Sequence, residues 1–124
     1  MAKILIIDDD KDILEIVKLL LTMHNYSVLG IFDADEILAQ INFFEPDLIL
    51  LDIDLGNYDG RKICKQLKTH KIYKNIPVIL VSANDQLKET YAECKACDFI
   101  TKPFDIYHLM KKIEEHLTIP KELN

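Results

Sequence analysis

The sequence lacks the features of several large protein classes. It has no tryptophan, only three glycines and four prolines in 124 residues, and no glycine-rich, proline-rich or low-complexity stretch that would mark a linker between domains. No apolar run approaches the ~20 residues that a membrane-spanning helix needs, and the chain enters a strand-like run at once, without a signal segment. We therefore expect a single cytoplasmic domain over residues 1–124, with a core of about 2–118 and a short tail at 119–124.

Positive charge is also scarce. Lysine and arginine number 15 against 21 aspartates and glutamates, which gives a formal net charge of −6. The basic residues form no run longer than two, so we expect neither direct binding to nucleic acid nor binding to a membrane.

Cysteine and histidine show no spacing typical of a metal or redox site. Three cysteines in a chain with 49% hydrophobic residues favour free thiols in a reducing compartment over a disulfide framework. The pair Cys94 and Cys97 has no partner pair at zinc-site spacing and lies at a predicted helix end, where thioredoxin-type chemistry is disfavoured. The four histidines are expected at the surface, outside any ligand cluster: His24, His70, His108 and His116.

The sequence instead alternates strand-like and helix-like segments five times. Short apolar runs rich in β-branched residues predict strands at residues 3–8, 26–31, 47–52, 77–81 and 97–101. Because both faces of these runs are apolar and a helical pattern follows each of them, we predict one doubly wound five-stranded parallel sheet with helices on both faces.

The helical segments carry apolar residues at 3.6-residue spacing, and three of them follow an acidic residue placed to cap the first turn. These caps are Asp10, Asp33 and Asp105. The fourth helix is predicted to begin near Asn84 and to pack through a stripe that includes Tyr91.

Four predicted strands end in polar residues with useful chemistry. These residues are Asp8, Asp9, Asp52, Ser82 and Lys102. Taken singly, each fits an ordinary use as a helix cap or loop residue. In a doubly wound sheet, however, the carboxyl ends of the strands meet in one crevice. Carboxylates gathered there need a cation such as Mg²⁺, so the set predicts a metal and phosphoryl-transfer site.

Four segments in this order and spacing resemble the receiver domain of two-component response regulators: KILIIDDDKDIL, PDLILLDIDLGNYDG, IPVILVSA and DFITKPF. The resemblance covers essentially the whole chain. It implies a flavodoxin-like (β/α)5 fold with strand order 2-1-3-4-5. It also implies a regulatory phosphoacceptor domain that is not an enzyme, although it assists its own phosphorylation and dephosphorylation.

By this resemblance, Asp52 accepts a phosphoryl group from a sensor histidine kinase or a histidine phosphotransfer protein. Mg²⁺ or Mn²⁺ is implied as the cofactor, held by Asp8, Asp9, Asp52 and the backbone carbonyl of Asp54. Lys102 matches the lysine that neutralises the phosphoryl oxygens in the family. Asp54 departs from the family pattern, where an uncharged residue is more common, and we interpret it as an acid that tightens metal binding, repels the donor or orients a hydrolytic water.

The resemblance further implies that Ser82 and Phe99 form a switch pair and that the Lys102–Pro103 peptide is cis. The signalling surface is expected on the face built from the fourth helix, the fifth strand and the fifth helix. Its partner is either a downstream protein or an output domain outside this chain, and a homodimer that forms on phosphorylation is expected there.

A rival hypothesis comes from the segment LLDIDLG, which is similar to the DxD motif of haloacid-dehalogenase-type phosphatases. Asp52 would then be the nucleophile and Asp54 the general acid and base of a phosphohydrolase. The order of the motifs disfavours it, because in that family the nucleophile lies on the first strand and the acidic pair comes late. Here Asp8 and Asp9 come first.

Overall fold

The computed structural model describes residues 1–83 and 87–117, and five parallel strands in these ranges form one sheet. The strands are β1 (Lys3–Ile7), β2 (Ser27–Ile31), β3 (Leu48–Asp52), β4 (Val78–Ser82) and β5 (Asp98–Thr101). They lie in the order β2-β1-β3-β4-β5, and each neighbouring pair is parallel. The predicted flavodoxin-like α/β fold and its strand order 2-1-3-4-5 are confirmed.

Helices cover both faces of the sheet. They are α1 (Lys11–Met23), α2 (Ile37–Phe44), α3 (Gly60–Thr69), α4 (Leu87–Thr90) and α5 (Ile106–Leu117), with 3₁₀ turns at Ala34–Glu36 and Tyr91–Cys94. The predicted tail and the predicted start of the fourth helix near Asn84 lie outside the described residues. None of the helices in the described ranges is long and apolar enough to cross a membrane.

Alternation along the strands divides the core into two clusters, one on each side of the sheet. In β1, Ile4 and Ile6 pack on the side of α1 and α5, whereas Leu5 and Ile7 pack on the side of α2 and α3. Successive strand side chains point to opposite faces, so a strand buried on both faces must be apolar at every position. Full burial of each such side chain contributes roughly 1.5–3 kcal/mol to stability. The two clusters hold the strands in place, and with them the carboxyl edge of the sheet where the polar residues lie.

The predicted caps are present at the helix starts. The side chain of Asp10 accepts hydrogen bonds from the backbone N–H groups of Asp12 at 3.0 Å and Ile13 at 3.3 Å. Asp33 caps the 3₁₀ turn before α2, and Asp105 accepts from the N–H of Tyr107 at 2.7 Å. These bonds satisfy N–H groups that the first turn of a helix leaves without partners.

Two segments differ from the predicted pattern. The fourth helical segment breaks at Thr90 and continues as a 3₁₀ turn, which ends at Lys95 in the left-handed region with φ of 61°. The loop after β3 contains a short antiparallel ribbon, with Asp54–Leu55 paired to Tyr58–Asp59. Gly56 turns the chain between them with φ of 65°, a conformation that costs glycine little.

Candidate functional site

Asp8 and Asp52 lie side by side at the carboxyl edge of the sheet. Asp52 is the last residue of β3, and Asp8 directly follows β1, which pairs with β3 through Ile7 and Leu51. Each of the two acids is only 4% exposed. Two buried carboxylates at adjacent strand ends repel each other, so the site requires a cation.

Lys102 supplies a positive charge to both acids. Its Nζ lies 2.8 Å from Oδ2 of Asp52 and 2.9 Å from Oδ2 of Asp8. The backbone holds the lysine there, because its N–H donates to the carbonyl of Ser82 at 2.7 Å. The Lys102–Pro103 peptide is cis, as the resemblance implied. The structure therefore brings together four predicted site residues from four strand ends: Asp8, Asp52, Ser82 and Lys102.

Burial and charge set the pKa values of this group. Burial raises the pKa of Asp52, against the opposing effects of Lys102 and of the Asp54 N–H, and the nearby charge of Asp8 raises it further. Burial lowers the pKa of Lys102, but its bonds to Asp52 and Asp8 outweigh that effect, so its pKa is raised. The lysine consequently stays charged at neutral pH beside a carboxylate that is harder to ionise than usual.

The acids also form a set that fits a divalent cation. Asp8, Asp9 and Asp52 each offer one carboxylate oxygen, and these oxygens lie within 4.8 Å of one another. Asp9 is exposed, so the set opens to solvent on one side. Mg²⁺ prefers oxygen ligands and keeps several waters, which suits two buried carboxylates and one exposed carboxylate. The predicted donor set is therefore of the right chemistry for Mg²⁺.

Asp54 contributes to the site through its backbone. Its N–H donates to Oδ1 of Asp52 at 3.0 Å, which leaves the two oxygens of Asp52 with different partners. The side chain of Asp54 is exposed. It stands in the ribbon that follows the predicted acceptor, paired in register with Asp59.

Ser82 and Phe99 occupy neighbouring strands. Ser82 ends β4 and is fully buried, and Phe99 pairs with Leu80 across β4 and β5. The ring of Phe99 lies 5.0 Å from that of Tyr91, and Lys112 Nζ lies 5.5 Å from its centroid. The predicted switch aromatic thus contacts residues from the segment after α4 and from α5.

Sequence reasoning missed the role of Gly60, the first residue of α3. A Cβ atom added there would lie 2.2 Å from the carbonyl oxygen of Asp52 and 2.7 Å from Cα of Ile53. Real Cβ atoms do not approach backbone so closely, so glycine is needed for α3 to pack against the end of β3. The available signal in the sequence was a glycine directly after Asp59, the helix cap of α3.

The expectation of surface histidines outside any cluster is wrong for His116. Its Nε2 lies 3.0 Å from Oδ2 of Asp98, and Lys112 Nζ lies 2.8 Å from Oδ1 of the same acid. These two contacts join α5 to the start of β5. Both side chains can reach Asp98 because positions 112 and 116 are one helical turn apart. Glu115 completes an acid and histidine group at the opposite end of β5 from Lys102.

The three cysteines are free thiols, as predicted. Cys64 is fully buried, and burial raises its pKa to about 12. Burial likewise raises the pKa of Cys97 to about 11. Thiols with raised pKa values are poor nucleophiles at neutral pH.

Comparison with known proteins agrees with this geometry. The family model described as the response regulator receiver domain matches residues 4–114. The nisin biosynthesis regulatory protein NisR of Lactococcus lactis is 38% identical over 93% of this chain and 50% of its own length. The sensory transduction protein BceR of Halalkalibacterium halodurans is 31% identical over 92% of this chain and 49% of its own.

A solved structure extends the likeness to three dimensions. The receiver domain of NtrX from Brucella abortus superposes with a TM-score of 0.84 at 32% identity, covering 94% of this chain and 98% of that one. The chain spans about half the length of NisR and of BceR. Since the family model covers nearly all of it, the chain belongs to the response regulator receiver domain family, the phosphoacceptor domains that act as phosphorylation-dependent switches in two-component signalling.

Proposed function

We propose that Asp52 accepts a phosphoryl group from the phosphohistidine of a sensor histidine kinase or a histidine phosphotransfer protein. Mg²⁺ would be held by Asp8, Asp9, Asp52 and the backbone carbonyl of Asp54. The observation that carries this proposal is the position of Lys102, whose ammonium group bridges the two buried acids at 2.8 and 2.9 Å. A buried acid beside a fixed cation and a second acid suits a nucleophile that must accept an anionic group.

The transfer needs little covalent chemistry from the protein. A carboxylate oxygen of Asp52 attacks phosphorus in line, the phosphorus–nitrogen bond breaks, and the histidine nitrogen of the donor keeps the electron pair. A bound divalent cation supplies charge neutralisation for the phosphoryl oxygens. Lys102 neutralises the same oxygens, and the N–H of Asp54 holds the acceptor carboxylate in place at 3.0 Å. Such positioning and electrostatic stabilisation account for most of the catalysis in phosphoryl transfer.

The phosphoryl group then offers new acceptor oxygens. Lys102 binds one of them. The hydroxyl of Ser82 turns to bind another, since Ser82 follows Val81, the residue of β4 that pairs with Asp52. Each charge-assisted bond is worth ~1.5–3 kcal/mol, and two give roughly 3–6 kcal/mol. About 5.5 kcal/mol carries a two-state equilibrium from 1:99 to 99:1, so these bonds suffice to operate a switch.

The conformational change on phosphorylation passes from β4 to β5. Movement of Ser82 vacates space beside Phe99, which touches Tyr91 and Lys112 in the resting arrangement. Rotation of this ring changes both contacts, so we place the signalling surface on the face formed by α4, β5 and α5. A downstream protein, an output domain or a second phosphorylated copy binds this face.

Intact mass spectrometry after incubation with acetyl phosphate and Mg²⁺ tests the proposal. The wild-type chain is expected to gain one phosphoryl group, whereas Asp52→Asn and a sample with EDTA gain none. Asp12→Asn is the matched control, because Asp12 is an exposed acid in the first turn of α1 and lies outside the proposed machinery.

An adduct that survives Asp52→Asn would place the acceptor elsewhere. Consumption of acetyl phosphate over many turnovers without an adduct would instead support the phosphohydrolase that uses Asp52 and Asp54. If acetyl phosphate gives neither result, a phosphorylated histidine phosphotransfer protein replaces it as the donor, and failure with that donor too would refute the proposed function.

A further inference from the structure

A groove between α2 and α3 is lined mainly by apolar side chains. It has a volume of about 440 Å³, and its walls include Ile37 and Leu38 of α2 and Ile63 and Leu67 of α3. Leu38 is 53% exposed, so the groove is open to solvent along this edge. A small-molecule site usually encloses most of its ligand, whereas an open groove suits side chains that another protein presents.

The lining of this groove carries negative charge at one place. Among the residues that the structure describes, Asp35 is the only carboxylate in the lining, and no lysine or arginine is part of it. The hydroxyl of Tyr58, which also lines the groove, donates to the Asp35 carboxylate. An ionised carboxylate can accept about four hydrogen bonds, so Asp35 retains capacity for a cationic donor beside an apolar surface.

The sequence around α2 has the same sign of charge over a long stretch. Residues 19–60 include no lysine or arginine, and they contain eight acids: Asp33, Asp35, Glu36, Glu45, Asp47, Asp52, Asp54 and Asp59. No ion pair joins α2 to α3 within the part of the chain that the structure describes. A field of this sign attracts a cationic partner and repels duplex DNA and anionic membranes.

The basic residues of α3 lie outside the lining of the groove. Arg61 and Lys65 lie close enough to Cys94 to affect its thiol, and Lys68 donates to two backbone carbonyls in the loop after α3. Lys62 is exposed at a position about 100° around the helix from the neighbouring groove position. A cation at Asp35 on the α2 side is therefore not displaced by a lysine of the same chain.

We propose that the α2–α3 groove binds a segment of a partner protein in which an arginine stands next to aliphatic residues. The guanidinium group donates to Asp35, and the aliphatic side chains pack against Leu38 and Ile63. Arginine fits better than lysine, because its planar group donates to a carboxylate through two N–H groups and its stem packs on apolar surface. This groove includes none of the residues assigned to phosphoryl transfer, so the inference stands apart from the proposed function.

Three synthetic peptides of equal length provide the probe. The first has one arginine between leucines in a background of serine and glycine. The second has serines in place of the leucines, and the third has citrulline, a neutral analogue, in place of the arginine. In ¹⁵N–¹H titrations of the full chain at low salt, the first peptide is expected to bind most tightly and to shift the amides of Ile63, Gln66, Leu67 and His70, which line the groove.

A pair of neighbouring acids separates a local contact from a general charge effect. Asp35→Asn should weaken binding of the arginine peptide by about fivefold, the size expected for an exposed ion pair, and should leave binding of the citrulline peptide unchanged. Glu36→Gln makes the same change in net charge at the next residue, which is also exposed but does not line the groove. It should leave the affinity for the arginine peptide nearly unchanged.

Four results would overturn the proposal. Equal losses in Asp35→Asn and Glu36→Gln would indicate a general charge effect, and equal affinity for the leucine and serine peptides would exclude the apolar groove. Equal affinity for the arginine and citrulline peptides would exclude Asp35. Binding of N-butylguanidinium alone as tightly as the arginine peptide would assign the groove to a small cation. Circular dichroism of each variant establishes that the fold is retained.

Discussion

The ammonium nitrogen of Lys102 lies 2.8 Å from Oδ2 of Asp52, so the proposed acceptor is bound in the resting protein by the cation that would later hold the phosphoryl group. The same nitrogen lies 2.9 Å from Asp8. One positive charge is thus shared between two buried acids, which leaves the site with surplus negative charge. That surplus has consequences for stability and for metal binding.

The first prediction is that Asp52→Asn stabilises the metal-free protein at neutral pH. Burial raises the pKa of Asp52 in the folded state, so its ionised form opposes folding, and stability is lost as the pH rises through the folded pKa. We expect a gain of about 1 kcal/mol, the size common for single substitutions. Urea denaturation in EDTA from about pH 4 to pH 8 should show the gain growing as the pH rises above the ordinary aspartate pKa and then reaching a constant value.

The control for this measurement is the exposed acid Asp12. Asp12→Asn should change the free energy of unfolding little and without this trend in pH. A wild-type protein more stable than Asp52→Asn at pH 8 would mean that Lys102 over-compensates the burial of the carboxylate.

The second prediction concerns Mg²⁺ and Asp9. A ligand that binds only the folded state at tenfold its dissociation constant adds about 1.4 kcal/mol of stability, so Mg²⁺ should raise the melting temperature of the wild-type chain. Asp9→Asn removes one of three clustered carboxylates and should shift the Mg²⁺ titration to higher concentration. Differential scanning fluorimetry measures both, and an Asp9→Asn titration that superposes on that of wild type would remove Asp9 from the ligand set.

The fold and most of this site were predictable from sequence because they rest on local patterns. Apolar runs with two buried faces identify parallel strands, and parallel strands bring their carboxyl ends together. The strand pattern therefore predicts that Asp8, Asp52 and Lys102 lie in one crevice, and the structure brings the three together. Caps such as Asp10 follow equally local rules.

The features that sequence reasoning missed depend on distances between elements. The approach of α3 to Asp52 shows only when a Cβ is built at Gly60. His116 contacts Asp98, which is 18 residues away in the sequence. A lone glycine or histidine carries no signal of such tertiary neighbours, so the surface was the default expectation for His116.

The third prediction follows from Gly60. Gly60→Ala places a methyl group against the backbone of Asp52, and overpacking of this kind costs about 1–3 kcal/mol. Because the strand end must move, the rate of phosphorylation by acetyl phosphate should also fall. Gly56→Ala is the comparison, since its Cβ meets nothing within 4 Å but its φ is 65°.

Gly56→Ala should therefore lose stability, by about 1 kcal/mol, without slowing phosphorylation. Stopped-flow phosphorylation and thermal melts of both variants make the distinction. Equal phosphorylation rates in the two glycine variants would show that α3 shifts to accommodate the methyl group without disturbing Asp52.

The fourth prediction separates phosphorylation from its readout. Ser82→Ala should still give an Asp52 adduct, because Lys102 remains, but the bond that moves Ser82 is lost. Aromatic NMR signals of Phe99 and Tyr91, whose rings are 5.0 Å apart, should then change on phosphorylation in wild type and much less in Ser82→Ala. Equal changes in both proteins would show that the Ser82 hydroxyl is not part of the switch.

The last prediction assigns Asp54 to signal lifetime. Its carboxylate is exposed, two residues beyond the acceptor, and its N–H already fixes Oδ1 of Asp52 at 3.0 Å. A carboxylate held at that place can accept a proton from the water that attacks the acyl phosphate. A fully positioned general base contributes about 10²–10⁴ in rate, and an exposed one less, so Asp54→Met and Asp54→Asn should lengthen the adduct lifetime by roughly tenfold.

Three effects of Asp54 must be distinguished: orientation of water, tighter metal binding and repulsion of the donor. Measuring decay at saturating Mg²⁺ after removal of the donor leaves only the first, because the second is saturated and the third acts on formation. Asp54→Asn retains the size and polarity of the side chain without its basicity, so it tests proton transfer more strictly than Asp54→Met. If both variants decay at the wild-type rate under these conditions, Asp54 does not act on hydrolysis, and a faster formation rate in the same variants would then assign it to repulsion of the donor.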